Sequence, residues 1–379
     1  MNAPSPPLIV PQADPGAGYR AAAAEIDRAV ARVLASGWYI LGAECSLFEK
    51  DFAAWQGQRC AVGVANGTDA LALILRGLGI GPGASVVTVS HTAVATVAAI
   101  EIAGATPILV DIDPRHFTMD PAELSAVLAS PPAGLPPIRA VIPVHLYGGM
   151  AEIEPIITAA HRHGVAVVED CSQSHGAVWA GRKCGSFGVA AAFSLYPTKN
   201  LGALGDGGVV TTDDEALAER IAALRQYGWR ERYVSDLPGV NSRLDELQAA
   251  ILRVKLSRLD AANARRVAIA SAYDEALADT PFAPPPRRPN TTHVFHQYVI
   301  RCPDRASVQA RLRAAGIGTG VHYPVPIHLQ PAYRGRIPLG PSACRETERA
   351  AGEVLSLPMF PELDDAQVER VCTALRGLC

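Results

Sequence analysis

The sequence predicts an α/β fold built on a mostly parallel sheet covered on both faces. Two observations carry this. Between Ser85 and Asp170, apolar runs of four to six residues alternate with segments of helical spacing, the pattern of strands buried on both sides. The residues with chemical potential, Gly67, Asp170 and Lys199, all come after such runs. In open α/β sheets, ligands bind beyond the carboxyl ends of the strands, so all three can face one crevice. With 379 residues, 49% hydrophobic and 19% charged, the chain has material for two domains and a large core.

The elements follow in order. Residues 19–35 have the spacing of an amphipathic helix, with Ile26, Val30, Val33 and Leu34 on one face. The loop Ser36-Gly-Trp-Tyr-Ile-Leu-Gly42 precedes a helix over 44–55. Residues 60–64 read as a buried strand that runs through Asn66-Gly-Thr-Asp69 into a helix over 70–78. Free N–H groups and a hydroxyl at a helix start make a phosphate seat; an ordinary N-cap at Thr68 or Asp69 is the plainer alternative. Strands at 85–89, 108–112, 140–144 and 165–168 then alternate with helices at 93–103, 121–128 and 152–163, and the last strand leads into Glu169-Asp170. Gly77-Leu-Gly-Ile-Gly-Pro82 imitates a dinucleotide fingerprint, but it follows a helix and has proline at its last glycine position, so it fails the context test. A strand at 190–195, a bend with Gly202, Gly205, Gly207 and Gly208, and a strand at 209–212 place Lys199 on a loop between two strands.

After Asp213 the pattern turns helical. Ser242-Arg-Leu-Asp245 reads as a capping box for a helix carrying Leu244, Leu247, Ile251 and Val254, continuing with a bend toward Asp279. Residues 281–289 are a proline-rich break. Beyond it, residues 297–301, 307–315 and 367–375 indicate a smaller mixed domain. Its loop, Gly320-Val-His-Tyr-Pro-Val-Pro-Ile-His-Leu329, carries His322, Tyr323 and His328.

Bulk properties narrow the function. A net charge of -3, a pI near 6.4 and the lack of a basic cluster give no nucleic-acid signature. The longest apolar candidate, residues 86–110, is interrupted by Ser90, His91, Thr92 and Glu101, so no membrane span is expected. The Pro/Ala-rich N-terminus lacks the pattern of a signal peptide, and its first dozen residues are expected to be mobile. The eight cysteines, Cys45, Cys60, Cys171, Cys184, Cys302, Cys344, Cys372 and Cys379, contain no Cys-x-x-Cys pair. That pattern fits a reducing cytoplasm and predicts no metal site.

A lysine on a rigid loop suits Schiff-base chemistry with an aldehyde. A carboxylate at a strand end can keep a pyridine nitrogen protonated. With a phosphate seat, these needs describe pyridoxal phosphate. The bland alternatives are a solvated loop lysine at Lys199 and an N-cap or exposed acid at Asp170.

Six motifs then resemble, in order and over most of the chain, the DegT/DnrJ/EryC1/StrS family of pyridoxal-phosphate sugar aminotransferases. They are Ala65-Asn-Gly-Thr-Asp-Ala70, Pro143-Val-His-Leu-Tyr-Gly148, Glu169-Asp-Cys-Ser-Gln-Ser-His-Gly176, residues 193–208, Gly239-Val-Asn-Ser-Arg243 and His322-Tyr-Pro-Val-Pro-Ile-His328. The resemblance implies a fold-type-I PLP aminotransferase. Its large domain would cover 15–256 with a mostly parallel seven-stranded sheet, and a smaller C-terminal α+β domain would cover 257–379. It implies a homodimer with shared active sites. It also implies that Lys199 bonds the cofactor aldehyde, Asp170 pairs with the pyridine nitrogen, and Gln173 lies near the ring and its 3-hydroxyl. Gly67, Thr68 and Ser194 would hold the phosphate. Asn241 would reach it from the neighbouring subunit, with Arg243 meeting substrate there, and His322 and Tyr323 would line the sugar side.

The implied reaction uses L-glutamate as donor, pyridoxamine phosphate as the intermediate carrier and a nucleotide-linked keto sugar as acceptor. The products are a nucleotide-linked amino sugar and 2-oxoglutarate. Residues 36–42 resemble members that aminate C3 of dTDP-3-keto-6-deoxyhexoses; C4 amination of a 4-keto-6-deoxyhexose, as in perosamine synthesis, is the alternative. A dehydratase is disfavoured because such members replace the lysine with histidine. A non-catalytic regulatory role is disfavoured because Lys199, Asp170 and Ser194 are intact. One departure stands out. Relatives place an aromatic residue over the ring where this chain has Ala93 in Ser90-His-Thr-Ala93, leaving His91 or some other side chain to cover that face.

Overall fold

The computed structural model describes residues 10–378. Helices α1 (Pro15–Ser36) and α2 (Ala43–Gln56) precede strand β1 (Cys60–Val64) and helix α3 (Gly67–Gly77). The alternation continues with β2 (Ser85–Val89), α4 (Ala95–Ile102), β3 (Thr106–Val110), α5 (Pro121–Ala129), β4 (Ile138–Val141), α6 (Ile153–Arg162) and β5 (Ala166–Asp170). Strands β6 (Ala190–Ser194) and β7 (Gly208–Thr212) flank the lysine loop. Helices α7 (Glu215–Leu224), α8 (Glu246–Leu256) and α9 (Leu259–Leu277) follow.

Seven strands form one sheet in the order β1-β7-β6-β5-β4-β2-β3. Only β7 runs against its neighbours β1 and β6. Successive residues of one strand enter opposite cores. Val87, Val141, Val167, Ala191 and Val209 pack with α2, α5, α6 and α8. Val86, Ala140, Val168, Ala190 and Val210 pack with α3, α4 and α7 on the other side. This two-sided burial is why the strands read as continuous apolar runs.

A third core is built largely from α9, β8 (Tyr298–Arg301), α10 (Arg305–Ala314), β9 (Val354–Leu357) and α11 (Asp365–Arg376). Val10 joins it, fully buried and bridged to Ile317, and Gln12 donates to Gln297 at 2.7 Å. Residues 10–12 are therefore anchored, contrary to the expected mobility; positions 1–9 lie outside the described residues. Among the described residues, no helix is long and apolar enough to cross a membrane.

Several local expectations change. Helix α3 begins at Gly67, and its cap is Asn66, which accepts from Asp69 N at 2.8 Å. Ser242 caps nothing: its hydroxyl accepts from Ala65 N at 3.1 Å, and α8 starts three residues later than a capping box would put it. The Glu246 carboxylate instead caps α2, accepting from the N–H groups of Gly42, Glu44 and Cys45 at 2.7–2.9 Å, a favourable place for negative charge. The expected bend is a break at Ser257-Arg258 between α8 and α9. Leu34 faces outward, 55% exposed.

Beneath β5 lies a buried polar clamp. Glu169 accepts from His145 Nε2 at 2.9 Å and from the N–H groups of Gly185, Phe187 and Gly188 at 2.7–2.8 Å. His145 Nδ1 accepts from Ala151 N at 3.0 Å, which leaves the ring proton on Nε2. His145, Glu169 and Cys171 have metal-ligating atoms within 4.8 Å of one another, but these hydrogen bonds already occupy both ring nitrogens and both carboxylate oxygens. Burial alone would raise the Glu169 carboxyl; the hydrogen bond from His145, with those from the backbone donors, more than reverses that and holds it below its usual range.

A depressed carboxyl stabilises the fold above its unfolded value of about 4.3, and that contribution is lost as acid takes the pH down through the folded value. Glu169→Ala is expected to cost about 3 kcal/mol or more in urea unfolding, because it leaves the His145 Nε2–H and the N–H groups of Gly185, Phe187 and Gly188 without their acceptor, at about 1–3 kcal/mol for each buried donor left unpaired. A cost below about 1 kcal/mol would show that the clamp contributes little.

Candidate active site

Helix α3 starts directly from β1, Asp170 is the last residue of β5, and Ser194 is the last of β6. Lys199 stands on the loop that follows. These ends converge on a cleft of about 320 Å³, lined by Gly67, Thr68, Asp170, Gln173, Ser194 and Lys199, with His322 and Tyr323 on a further wall. Eight of the ten expected site residues thus share one cavity. Asn241 and Arg243 do not line it; Asn241 is exposed outside.

The phosphate seat follows from the cap. With Asn66 bonded to Asp69 N, the N–H groups of Gly67 and Thr68 open the helix without helical partners. Gly67 is required by close approach, because a Cβ there would lie 2.7 Å from the Ser194 Cβ. The glycine lets the Ser194 side chain close against the positive helix end.

The lysine loop is tied down on several sides. Lys199 N donates to Tyr196 O at 2.8 Å and Ala203 N to Leu195 O at 2.7 Å. Asn200 Nδ2 donates to Asn263 Oδ1 and Val294 O at 2.8 and 3.0 Å. Burial brings the Lys199 amine down to about 8, against the opposing pull of Asp170. Near pH 8 about half of it is then neutral, against about 0.4% for an ordinary lysine. Across the cleft Asp170, 4% exposed, accepts from Thr96 Oγ1 at 2.9 Å and Ser172 N at 3.1 Å. A carboxylate retains further lone pairs, so Asp170 is oriented and still able to accept.

Gln173 accepts from Tyr147 N at 2.9 Å and donates to the Tyr323 hydroxyl at 3.0 Å, joining floor to wall. Burial pushes that hydroxyl up to about 12, so it stays protonated. His322 is held by Ser356 Oγ at 2.8 Å; burial and the nearby Lys199 lower its pKa. His328 is bonded to Ser90 Oγ at 2.7 Å and Glu348 at 3.1 Å, away from the cleft.

His91 does not cover the cleft. Its Nε2 is 2.8 Å from the Tyr147 hydroxyl, which itself donates to the His322 carbonyl, so the ring nitrogen is the donor. Its ring lies 5.9 Å from Phe117, and burial, with Arg301 nearby, takes it down to about 4, leaving it neutral. Thr92 and Ala93 line the cleft on that side, while the rings lining it are those of Tyr196, His296, His322 and Tyr323.

Sequence reasoning missed Asn66, Thr96, His296 and Gln297. Thr96 had a usable signal, since it lies in the first turn of the helix after β2. His296 and Gln297 had none. They arrive by pairing: Gln297 N donates to Tyr147 O at 3.0 Å and Val294 N to Gly148 O at 2.9 Å. Gly148, at φ 109°, permits this approach, because a Cβ there would lie 2.6 Å from Phe295 N.

The donors and acceptors fit pyridoxal phosphate: a helix start that a Cβ at Gly67 would obstruct, a buried carboxylate with spare acceptor capacity, and an amine of lowered basicity between them.

Residues 20–376 match the profile of the DegT/DnrJ/EryC1/StrS aminotransferase family. The chain is 47% identical to a dTDP-3-amino-3,4,6-trideoxy-alpha-D-glucose transaminase of Streptomyces venezuelae, covering 97% of this chain and 95% of that one. It is 45% identical to the erythromycin biosynthesis sensory transduction protein EryC1 of Saccharopolyspora erythraea, covering 98% and 100%. It superposes on the crystal structure of S. venezuelae DesV in complex with ketimine intermediate with a TM-score of 0.93, at 46% identity, covering 98% of this chain and 99% of that one.

Proposed function

Since the chain belongs to the DegT/DnrJ/EryC1/StrS aminotransferase family, we propose that it moves an amino group from L-glutamate to C3 of a dTDP-linked 3-keto-6-deoxyhexose. The observation that carries this reading is the Lys199 amine, brought to about 8, lining one cleft with Asp170 and the open start of α3. When bound, pyridoxal phosphate supplies an aldehyde that takes up an amino group and a ring that stores the electron pair left when a proton departs.

The chain's own groups do the rest. Lys199 Nζ, neutral in a useful fraction, takes the proton from the donor Cα and delivers it to the cofactor C4′. The Asp170 carboxylate, held by Thr96 and Ser172, keeps the ring nitrogen protonated. Gly67, Thr68 and Ser194 hold the phosphate, Gln173 flanks the ring, and His322 and Tyr323 face the sugar. The preference for C3 over C4 rests on residues 36–42 and on the first relative's name. The second relative's name favours a regulatory reading; against it stands a complete set of amine, acid and phosphate donors.

Asn241 is exposed outside the cleft of its own chain, and Trp38, Tyr39 and Ile40 are 64, 48 and 40% exposed in sequence. Such a patch supports a buried interface, and the reading is a homodimer in which Asn241 reaches the partner's phosphate and Arg243 meets its substrate. Mixing Lys199→Ala with Asn241→Ala subunits is then expected to restore roughly a quarter of wild-type activity at random assortment. Mixed dimers no more active than the parents would remove the sharing. A division at Leu256, where α8 gives way to α9, is proposed as the domain boundary. All seven described cysteines are free, which supports a reducing, cytoplasmic setting.

The decisive experiment incubates purified holoprotein with L-glutamate and dTDP-, UDP- or GDP-linked keto sugars, then maps the aminated carbon by NMR. Amination of C3 on a dTDP sugar is expected. Exclusive C4 product would overturn the regiochemistry. No amino transfer from any of them, with cofactor bound, would favour the regulatory reading.

A further inference from the structure

A second large cavity, about 440 Å³, lies behind the lysine loop. Pro197, Thr198, Lys199 and Asn200 line it, as do the first turns of α1, the α8–α9 junction and residues 359–362. The loop therefore borders two cavities, and the chemistry above uses only one.

The charges around this second cavity do not balance. Arg258 pairs with Glu25, Arg265 with Asp365 and Asp14 with Arg20. With the Lys199 amine assigned to the first cleft, that leaves Lys255 and Arg266 against Glu362, and none of these three makes an ion pair within 4.0 Å among the described residues. Arg266 is 4% exposed. Its Nη1 donates to Phe295 O and Met359 O at 3.1 and 2.9 Å, but its Nε has no partner. Lys255 Nζ donates to Gly202 O at the end of the loop. A Cβ placed on Gly18 would lie 3.9 Å from Lys255 Nζ and 3.3 Å from Glu362 Oε1, so both head groups surround one point of the wall. Two cations face one acid, a surplus of one positive charge where solvation is poor, and such charge is costly without a partner. The remaining wall is largely apolar: Ala21, Ala22, Leu259, Ala262, Met359 and Phe360.

We propose that this cavity is a second binding site, for a small organic carboxylate whose head lies between Lys255 and Arg266 and whose apolar body lies against Met359 and Phe360. A single negative charge matches the surplus, which selects a carboxylate over a phosphate dianion. A guanidinium suits that head. An occupant touches the loop that carries Lys199, so this is a place from which a metabolite acid acts on the catalytic lysine. The site does not depend on which sugar is aminated.

The test uses 4-fluorobenzoate as probe and the intact holoenzyme, read by ligand-observed fluorine NMR. Saturable binding is expected, and saturating L-glutamate and nucleotide sugar, which occupy the first cleft, should leave it in place. Lys255→Met is expected to weaken it by at least about tenfold, the scale of one charged hydrogen bond. Gly18→Leu sends a side chain into the cavity from a helical position where leucine is the better helix former, and it is expected to abolish binding. If Lys255→Met fails to fold, Gly18→Leu decides. Absence of saturable binding, displacement by the first-cleft ligands, or full affinity in a folded variant of either kind would each overturn the proposal.

Discussion

Lys199→Ala is expected to lower turnover by more than about 10³-fold while leaving the fold and the sheet intact. General acid–base catalysis contributes about 10²–10⁴-fold, and the same side chain is assigned the bond to the cofactor aldehyde. The fold should survive because loop 196–203 is held by bonds that do not use the amine: Lys199 N to Tyr196 O, Ala203 N to Leu195 O, and the Asn200 amide to Asn263 and Val294. Turnover with L-glutamate, circular dichroism and rescue by a small primary amine form the measurement. A variant that keeps wild-type turnover would end the assignment of Lys199. Loss of activity together with loss of fold would instead mean that the amine is structural.

Asp170→Asn should be nearly as severe, lowering the rate by about 10²–10³-fold, the usual cost of removing one preorganised electrostatic contact. The substitution preserves shape and can still meet Thr96 Oγ1, so packing should change little; what disappears is the charge that keeps the ring nitrogen protonated. A second readout separates this from a structural defect. Asp170 is the charge that raises the Lys199 amine against burial, so its removal should move the Lys199 titration below about 8. The acid limb of the pH–rate profile should then shift to lower pH. An unchanged rate would remove the role at the ring nitrogen, and an unmoved acid limb would remove the coupling to Lys199.

Much of this site was legible because its parts are local. Gly67-Thr68, Asp170 and Ser194-to-Lys199 each follow a strand within a few residues, and parallel strands bring their carboxyl ends to one edge whatever the intervening lengths. Cap residues were harder to read. At Asn66-Gly-Thr-Asp69 four neighbours all suit a helix start, and the choice of Asn66 rests on which side chain reaches Asp69 N. Ser242 fits a capping box by spacing, yet its hydroxyl serves Ala65 N, a partner 177 positions away. His91 is polar beside a crevice, yet the Tyr147 hydroxyl and Phe117 draw it inward, and Ala93 remains at the surface of the cleft.

Strand order along the chain, the two-faced burial of β2 to β6, the lysine between two strands and the acid at the end of β5 were all settled by residue type and spacing, since apolar periodicity and turn chemistry act over a few residues. Tertiary structure alone decided that His296 and Gln297 enter the cleft, that Glu246 caps a helix some 200 positions earlier, and that Lys255 and Arg266 share a wall on which Glu362 is the one acid not already paired. Each of these depends on where distant segments meet, and that is fixed by packing of whole faces, which no short window of residues contains.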